Sequence, residues 1–473
     1  MKELENLLDT AVRRVSIKLR KMKYDVAPAV YGLVSLKQLS RFYASYAIST
    51  RHPLGLEFKH SSIGGSHFLG KCRVAESVLY KSDVRGDELK KRGDIFRHND
   101  FEIALSSDET IEINGSLLVK ALVHNFSHDP ESPALFFIRD TAAAHYSNIH
   151  GSPCDGCFLE PFATVDLTTA RNCIIGAFSY VQTGEIGQLA VKPGTIWIKS
   201  RGSFEFIYRH EGKKLKKYIS FTPGEKPRGV LMDTAETTRD DLGGIFDRIH
   251  VKHPVRVPQN SSLDRYAAVS PETVIGQNVL VSQRALLKNA QMGRGANAQE
   301  NCCIINSCLE GENVTAHGAK IIDAKLGRRV FVGFNSLLRG LPENKLVVGK
   351  SAIIMPHTII DAAEPLAVPA GHLVWGIIKN RRDMETNTMP LDKLAAVKGR
   401  MKKGRLSFEG SGAAFVSAFK DRIHHILEAN GAFFDGVKNR GHAQKNRDIA
   451  VSTLQPYSCG RLKGIYPTIT VKP

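Results

Sequence analysis

The chain is short of acid: 47 Asp and Glu stand against 65 Lys and Arg, leaving a formal net charge of +18. It is poorer still in tryptophan, with two in 473 residues, and in cysteine, with eight. So few cysteines do not make a disulfide scaffold, and the adjacent Cys302 and Cys303 point to a reduced cytoplasmic setting. No segment approaches the ~18 consecutive apolar residues of a membrane span, and the start lacks the apolar core of a secretory signal. Complete P-loop, dinucleotide-binding and Gly-x-Ser-x-Gly patterns are also missing, which removes three common enzyme classes. So is the glycine-rich, arginine-containing opening of a sugar-nucleotide pyrophosphorylase. What the chain does have is glycine, 40 in all, enough for many turns.

The basic excess is uneven. From Lys379 onward 18 Lys and Arg face 8 Asp and Glu, a net of +10, densest over Lys398–Arg405. No zinc finger, RNA-recognition signature or aromatic-interleaved groove accompanies this run, so a solvated surface, phosphorylated ligands or an acidic protein partner is preferred to nucleic acid. At the other end, Leu4, Leu7, Leu8, Ala11, Val12, Val15, Leu19 and Met22 follow helical spacing. The spacing predicts a helix packed on the body of the protein or on another subunit, with a membrane-surface helix as the alternative.

The main pattern lies between residues 269 and 360. Small or aliphatic residues recur at Ile275, Val281, Leu287, Met292, Ala298, Ile304, Leu309, Thr315, Ile321, Leu326, Val332 and Leu338. The steps are six, six and five, closing a unit of 17 residues. A 3.6-residue helical period does not fit, and glycine and asparagine recur where a helix would suffer. Three short strands per coil, each with one aliphatic side chain inward, give a triangular solenoid in which no coil is stable alone. After a small loop at Gly340–Asn344 the step of six resumes at Val348, Ile354 and Ile360.

This run of aliphatic-glycine hexads, closed by "VPAGHLVWG" at 368–376, resembles the hexapeptide-repeat transferase superfamily. The resemblance implies a mainly β fold, a left-handed parallel β-helix with N- and C-terminal helices, and a homotrimer. Ile63, Leu69, Val74, Leu79 and Val84, then Ile175, Val181 and Ile186, carry an interrupted version of the pattern. The chain accordingly divides into a helical segment over 1–55, first coils over 56–87, an insertion over 88–144 and further coils over 145–187. A second, β-rich insertion over 188–268, the main β-helix over 269–376 and a basic helical or irregular extension over 377–473 follow. One discontinuous β-helix with two insertions is the reading; two separate small helices are the alternative.

The resemblance implies an enzyme transferring an acyl group, most simply acetyl from acetyl-CoA as co-substrate, to a hydroxyl or amine of a small-molecule acceptor. Several acyltransferases of that superfamily carry a general-base histidine on such a coil, and by residue type His317, in "NVTAHGAKI", is the candidate, a polar corner histidine being its plainer reading. Arg328, Arg329, Lys379, Arg381 and Arg382 are the cations expected to meet CoA phosphates. Asn313, Asn335 and Ser336 are candidates for the same face as His317.

Two alternatives stand beside this. "SVLYKSDVRGDE" resembles a strand of γ-class carbonic anhydrases, with Arg85 and Asp87 at the matching positions. That family's paired histidines are not retained: the second falls on Ile322 opposite His317, and the two fall on Glu160 and Val165 opposite "NCIIG". Separately, His145, His150, Cys154 and Cys157 form an H-x4-H-x3-C-x2-C constellation of competent zinc or iron ligands. A buried cysteine cluster is its plainer reading. The third possibility is a non-catalytic assembly subunit with the solenoid as a rigid prop.

Overall fold

The structure, a computed structural model, describes all residues except 41–43, 99–100, 126–134, 244–251, 455–463, 466–467 and 472–473. Short parallel strands, two or three residues long for the most part, dominate it. The chain divides into two compact units: Met1–Thr195 with Ser220–Pro227 and Ile449–Pro473, and Ile196–Ile219 with Arg228–Asp448. Each contains its own stack of coils.

In the second unit the sequence period and the strand register coincide. Ile275 pairs with Met292, Met292 with Leu309 and Leu309 with Leu326, all in parallel strands. Leu287, Ile304, Ile321, Leu338, Ile360 and Ile378 make a second column. Val281 pairs with Ala298, and Thr315 with Val332 and then Ile354. All of these side chains except Thr315 belong to one buried apolar cluster, with Cys302 among them. The glycines after the inward residue are required by close approach rather than by dihedral angle: a Cβ on Gly293 would lie 2.1 Å from the carbonyl oxygen of Glu310 in the next coil.

The corners need positive φ, and here they fall mostly to residues that tolerate it. One corner column is Asn278, Gly295, Glu312, Arg329, Ser351 and Gly371; the next is Arg284, Asn301, Gly318, Asn335 and His357. The coils begin at Ser262–Leu263, which pairs with Leu280–Val281, slightly ahead of the boundary at 269. Beyond them the extension contributes an antiparallel hairpin of Lys398–Lys403 and Leu406–Ser411 and a helix over Gly412–Ala429.

In the first unit the coil is 16 residues, not 17. Ile149, Val165 and Val181 stack at that interval, as do Leu159, Ile175 and Val191, so the coils run on past 187. The inward residue of the first coils is Phe68, which pairs with Val84 and packs against Phe58 at 5.0 Å; Leu69 lies in register with Arg85 instead. The segment 88–144, expected as an insertion, carries coil strands from Thr110 onward. Thr110–Asn114, Leu117–Val119 and Leu122–His124 pair in parallel with strands on both sides. What interrupts the stack is narrower: a hairpin of Ile95–His98 with Phe101–Ala104. Residues 126–134 of the expected insertion lie outside the described residues. Each of the two compact units is built on its own run of coils.

The helix Lys2–Leu19 buries the apolar stripe from Leu4 to Leu19 against coil residues Val78, Tyr80, Leu117, Val119, Phe158 and Ile174 of its own unit. Lys18 anchors its last turn to Asp155 at 2.8 Å and Asp140 at 3.6 Å. The apolar face is thereby accounted for without a membrane. The tail returns to this unit as well, Ala450–Leu454 pairing antiparallel with Ala44–Ile48 and Ile469–Val471 with Leu56–Lys59.

Candidate functional site

His317 sits in the second unit just before Gly318, a positive-φ corner. Its ring is buried, with Nδ1 2.7 Å from Glu300 Oε2 on the preceding coil and the Phe334 ring 5.2 Å away on the following one. A carboxylate at one ring nitrogen is the arrangement that orients an imidazole and leaves the other nitrogen for a proton transfer. The carboxylate partner was not anticipated from sequence. Its signal was there: Glu300 precedes His317 by 17 residues, one coil of the second unit.

The expected neighbours of His317 turn out to maintain the coil. Asn313 accepts the Gly311 N–H at 2.8 Å and donates to the Gly327 carbonyl at 2.7 Å. Ser336 donates to the Met355 carbonyl at 3.1 Å. Asn335 occupies a corner at φ 50°. Lys320, three residues beyond His317, is buried, and its ammonium donates to the Gly318 carbonyl at 2.7 Å. Burial pushes its pKa down to about 8.

The five cations expected for a phosphate do not converge as one group on His317. Arg328 and Arg329 both grip Glu312; burial alone would raise that carboxyl, and the two guanidinium groups hold it below its usual range. Lys379, Arg381 and Arg382 surround the start of the helix Arg381–Thr386, where the Lys379 N–H donates to Asp383. Of the five, Arg381 lines a cavity of about 880 Å³ together with Lys325, Lys345, Leu366 and Met384. The small loop after Gly340 forms part of its wall through Pro342, Glu343 and Asn344.

The His145–Cys157 constellation does not assemble. Among the described residues no three of His145, His150, Cys154 and Cys157 bring donor atoms within reach of one ion. The reason is coil geometry, which sends neighbours in sequence to different faces. Cys154 falls in the Ile138–Cys154–Ala170 column, fully buried, and the Cys157 thiol donates to the Ala170 carbonyl at 3.3 Å. Burial pushes the Cys157 thiol well up, as for a thiol packed in the coil interior. His150 lies on another face, where it meets His124 of the adjacent coil, a residue that sequence reasoning passed over. The Arg85–Asp87 pair is present within one chain, Nε to Oδ1 at 2.8 Å, with Arg85 buried.

With this geometry described, the likeness to known proteins can be stated. A family model described as "Hexapeptide repeat including loop" matches residues 101–223. A crystal structure of a protein from Desulfovibrio desulfuricans G20, provisionally named an acetyltransferase, is 48% identical over 100% of this chain and 99% of its own, with a TM-score of 0.93. The chain belongs to the hexapeptide-repeat transferase superfamily. Its stacks are accordingly the left-handed parallel β-helices of that superfamily. A Bacillus cereus protein with the same provisional name is 11% identical over 37% of this chain and 87% of its own, at a TM-score of 0.22, too distant to support any inference. None of the curated proteins compared with the chain matches it.

Proposed function

We propose that the protein transfers an acyl group, most simply acetyl from acetyl-CoA, to a hydroxyl or amine of a small acceptor. The observation that carries this reading is the whole-length likeness, at 48% identity, to a protein provisionally named an acetyltransferase. In the proposed step the Nε2 of His317 takes a proton from the acceptor as it attacks the thioester carbonyl. The tetrahedral intermediate then expels the CoA thiolate, which recovers the proton from the imidazolium. Glu300 at 2.7 Å fixes the orientation of the ring during the step. Because the ring is only 2% exposed, the acceptor needs an opening that admits it.

For the donor, the cavity beside the helix Arg381–Thr386 supplies three cations, Lys325, Lys345 and Arg381, against two carboxylates, Glu343 and Glu385, with apolar residues between them. That combination suits the phosphates and the flat base of an acyl-CoA. A homotrimer, in a reduced cytoplasmic compartment, completes the proposal.

The test is CoA release from acetyl-CoA with a panel of hydroxyl and amine acceptors. His317→Ala is expected to lower kcat by about 100-fold or more, and Arg381→Glu to raise KM for the thioester with kcat little changed. Unaltered turnover in His317→Ala would remove the histidine from the reaction. Light scattering checks the trimer.

A further inference from the structure

The basic run in the C-terminal extension forms an exposed sheet edge that acyl transfer does not use. Lys398–Lys403 pairs antiparallel with Leu406–Ser411, and that strand pairs on its other side with Phe204–Arg209. Lys398–Lys403 therefore ends its sheet, with no strand beyond it among the described residues. Gly404, at φ 55°, and Arg405 make a two-residue turn, so Lys403 and Leu406 are a hydrogen-bonded pair and bonded pairs recur at every second residue. Two bonds fix the parity. The Gly412 N–H reaches the Val397 carbonyl at 2.9 Å, whereas the Ser411 N–H turns away, to the Ser203 carbonyl at 2.9 Å. The backbone groups of Lys398, Arg400 and Lys402 consequently point outward from the edge.

The side chains follow the same alternation. Lys398, Arg400 and Lys402 stand on the face of Ser407 and Glu409, and all three are exposed. Leu406 and Phe408 are buried on the other face, where Phe408 meets Phe415 with ring centroids 5.8 Å apart. Over residues 391–411 six Lys and Arg stand against two Asp and Glu. Glu409 reaches Arg400 at 3.3 Å in an exposed pair, which is worth little. Sheet edges are commonly blunted by proline, a bulge or short length as well as by charge. This one has six residues in unbroken register and no proline. Charge alone therefore selects what pairs with it. A second copy of the strand would set cation against cation, while acidic side chains would meet opposite charge.

We propose that Lys398–Lys403 takes up an extended acidic segment of a partner protein as an added β-strand. The outward N–H and C=O groups of Lys398, Arg400 and Lys402 supply the main-chain bonds, and their side chains the specificity. Alternation dictates the pattern of the segment: acidic residues on the face of the three cations, apolar ones on the side of Met401. None of the strand's residues lines the cavity described for the acyl donor, and the proposal does not rest on the acyl-transfer reading.

The test is fluorescence anisotropy of a labelled peptide of alternating glutamate and valine, titrated with the full chain. Saturable binding is expected, and the same residues rearranged as a glutamate block and a valine block should bind at least about 5-fold more weakly. Arg400→Ala removes one charge; Arg400→Pro removes that charge and an outward N–H that the hairpin does not use. Proline should weaken binding by about 5- to 10-fold more than alanine, both variants being checked for folding by circular dichroism and melting temperature. Lys402→Ala and Lys402→Pro repeat the comparison in case a substitution at 400 disturbs the hairpin. No binding of the alternating peptide by the wild-type chain, equal binding of the block peptide, or equal affinities of the folded alanine and proline variants would overturn the proposal. So would displacement of the peptide by a single-stranded oligonucleotide at comparable concentration, the mark of a general polyanion surface.

Discussion

In the second unit six of the eleven left-handed corners in two columns are Gly or Asn (Asn278, Gly295, Asn301, Gly318, Asn335 and Gly371) and none is aromatic except His357; in the first, one corner column holds Gly65, Lys81, Lys120, Tyr146, Phe162, Phe178 and Gly194. Glycine and asparagine reach positive φ at little cost, whereas a bulky side chain there is strained by about 1 kcal/mol or more. Phe162, at φ 59°, and Phe178, at φ 55°, are both fully buried, and the Phe162 ring stacks on Tyr146 at 5.1 Å. Side-chain burial at these corners of the first unit thus offsets a backbone strain that the second unit avoids at its Gly and Asn corners. The same turn is made in one case by backbone tolerance and in the other by packing.

Phe162→Ala therefore carries the largest expected effect, a loss of about 4 kcal/mol, the range for deleting a buried aromatic ring. Phe162→Gly should lose about 1 kcal/mol less, because glycine removes the corner strain while leaving the same cavity. Urea unfolding of the full chain measures both. If glycine is no better than alanine, strain at that corner is negligible and the contrast between the units reduces to packing alone.

The corner chemistry also explains what could be read from the sequence. In the second unit Gly276, Gly293, Gly327 and Gly333 follow the inward aliphatic residues, and asparagines mark the turns, so period and register were visible. In the first unit the turns at Tyr146, Phe162, Leu167 and Phe178 look like core residues, and the hairpin from Ile95 to Ala104 breaks the count. That is why Thr110–Val123 passed for an insertion and why Leu69 stood in for Phe68. For the candidate site, His317 was legible as a residue but Glu300 was not, since their meeting depends on the 17-residue coil bringing two corners together. His124 and His150 are 26 residues apart, and the ten residues beyond a regular 16-residue coil hid their juxtaposition.

A second contrast concerns buried charge. In the first unit Arg85 is paired with Asp87, and His150 with Asp166. In the second, Lys320 is 3% exposed in register with Cys303 and Leu337, and burial lowers its pKa to about 8 from an ordinary 10.5. Below pH 8 both folded and unfolded chains carry the proton, so the cost of burying the ammonium is present in full. Between pH 8 and 10.5 the unfolded chain binds more protons than the folded one, and stability rises with pH. Lys320→Met should thus stabilise the protein at pH 7 by up to about 3 kcal/mol, with the advantage vanishing toward pH 10.5. Melting temperatures of both proteins across that window decide it. A pH-independent gain would mean that the methionine acts by packing and that Lys320 carries no charge penalty.

The smallest expected effect is the sharpest control on the corners. Asn301 has φ 60°, and its backbone N–H donates to the Gln283 carbonyl at 3.1 Å, a bond that glycine keeps. Asn301→Gly removes what little strain asparagine feels at positive φ and adds freedom to the unfolded chain; the two terms oppose each other at about 0.5 kcal/mol each. With these backbone terms cancelling, the net change in urea unfolding should stay below about 1.5 kcal/mol, the worth of one side-chain hydrogen bond. A loss as large as that of Phe162→Ala would show that the Asn301 side chain holds its corner by contacts, as the aromatics do. The two units would then share one means of turning.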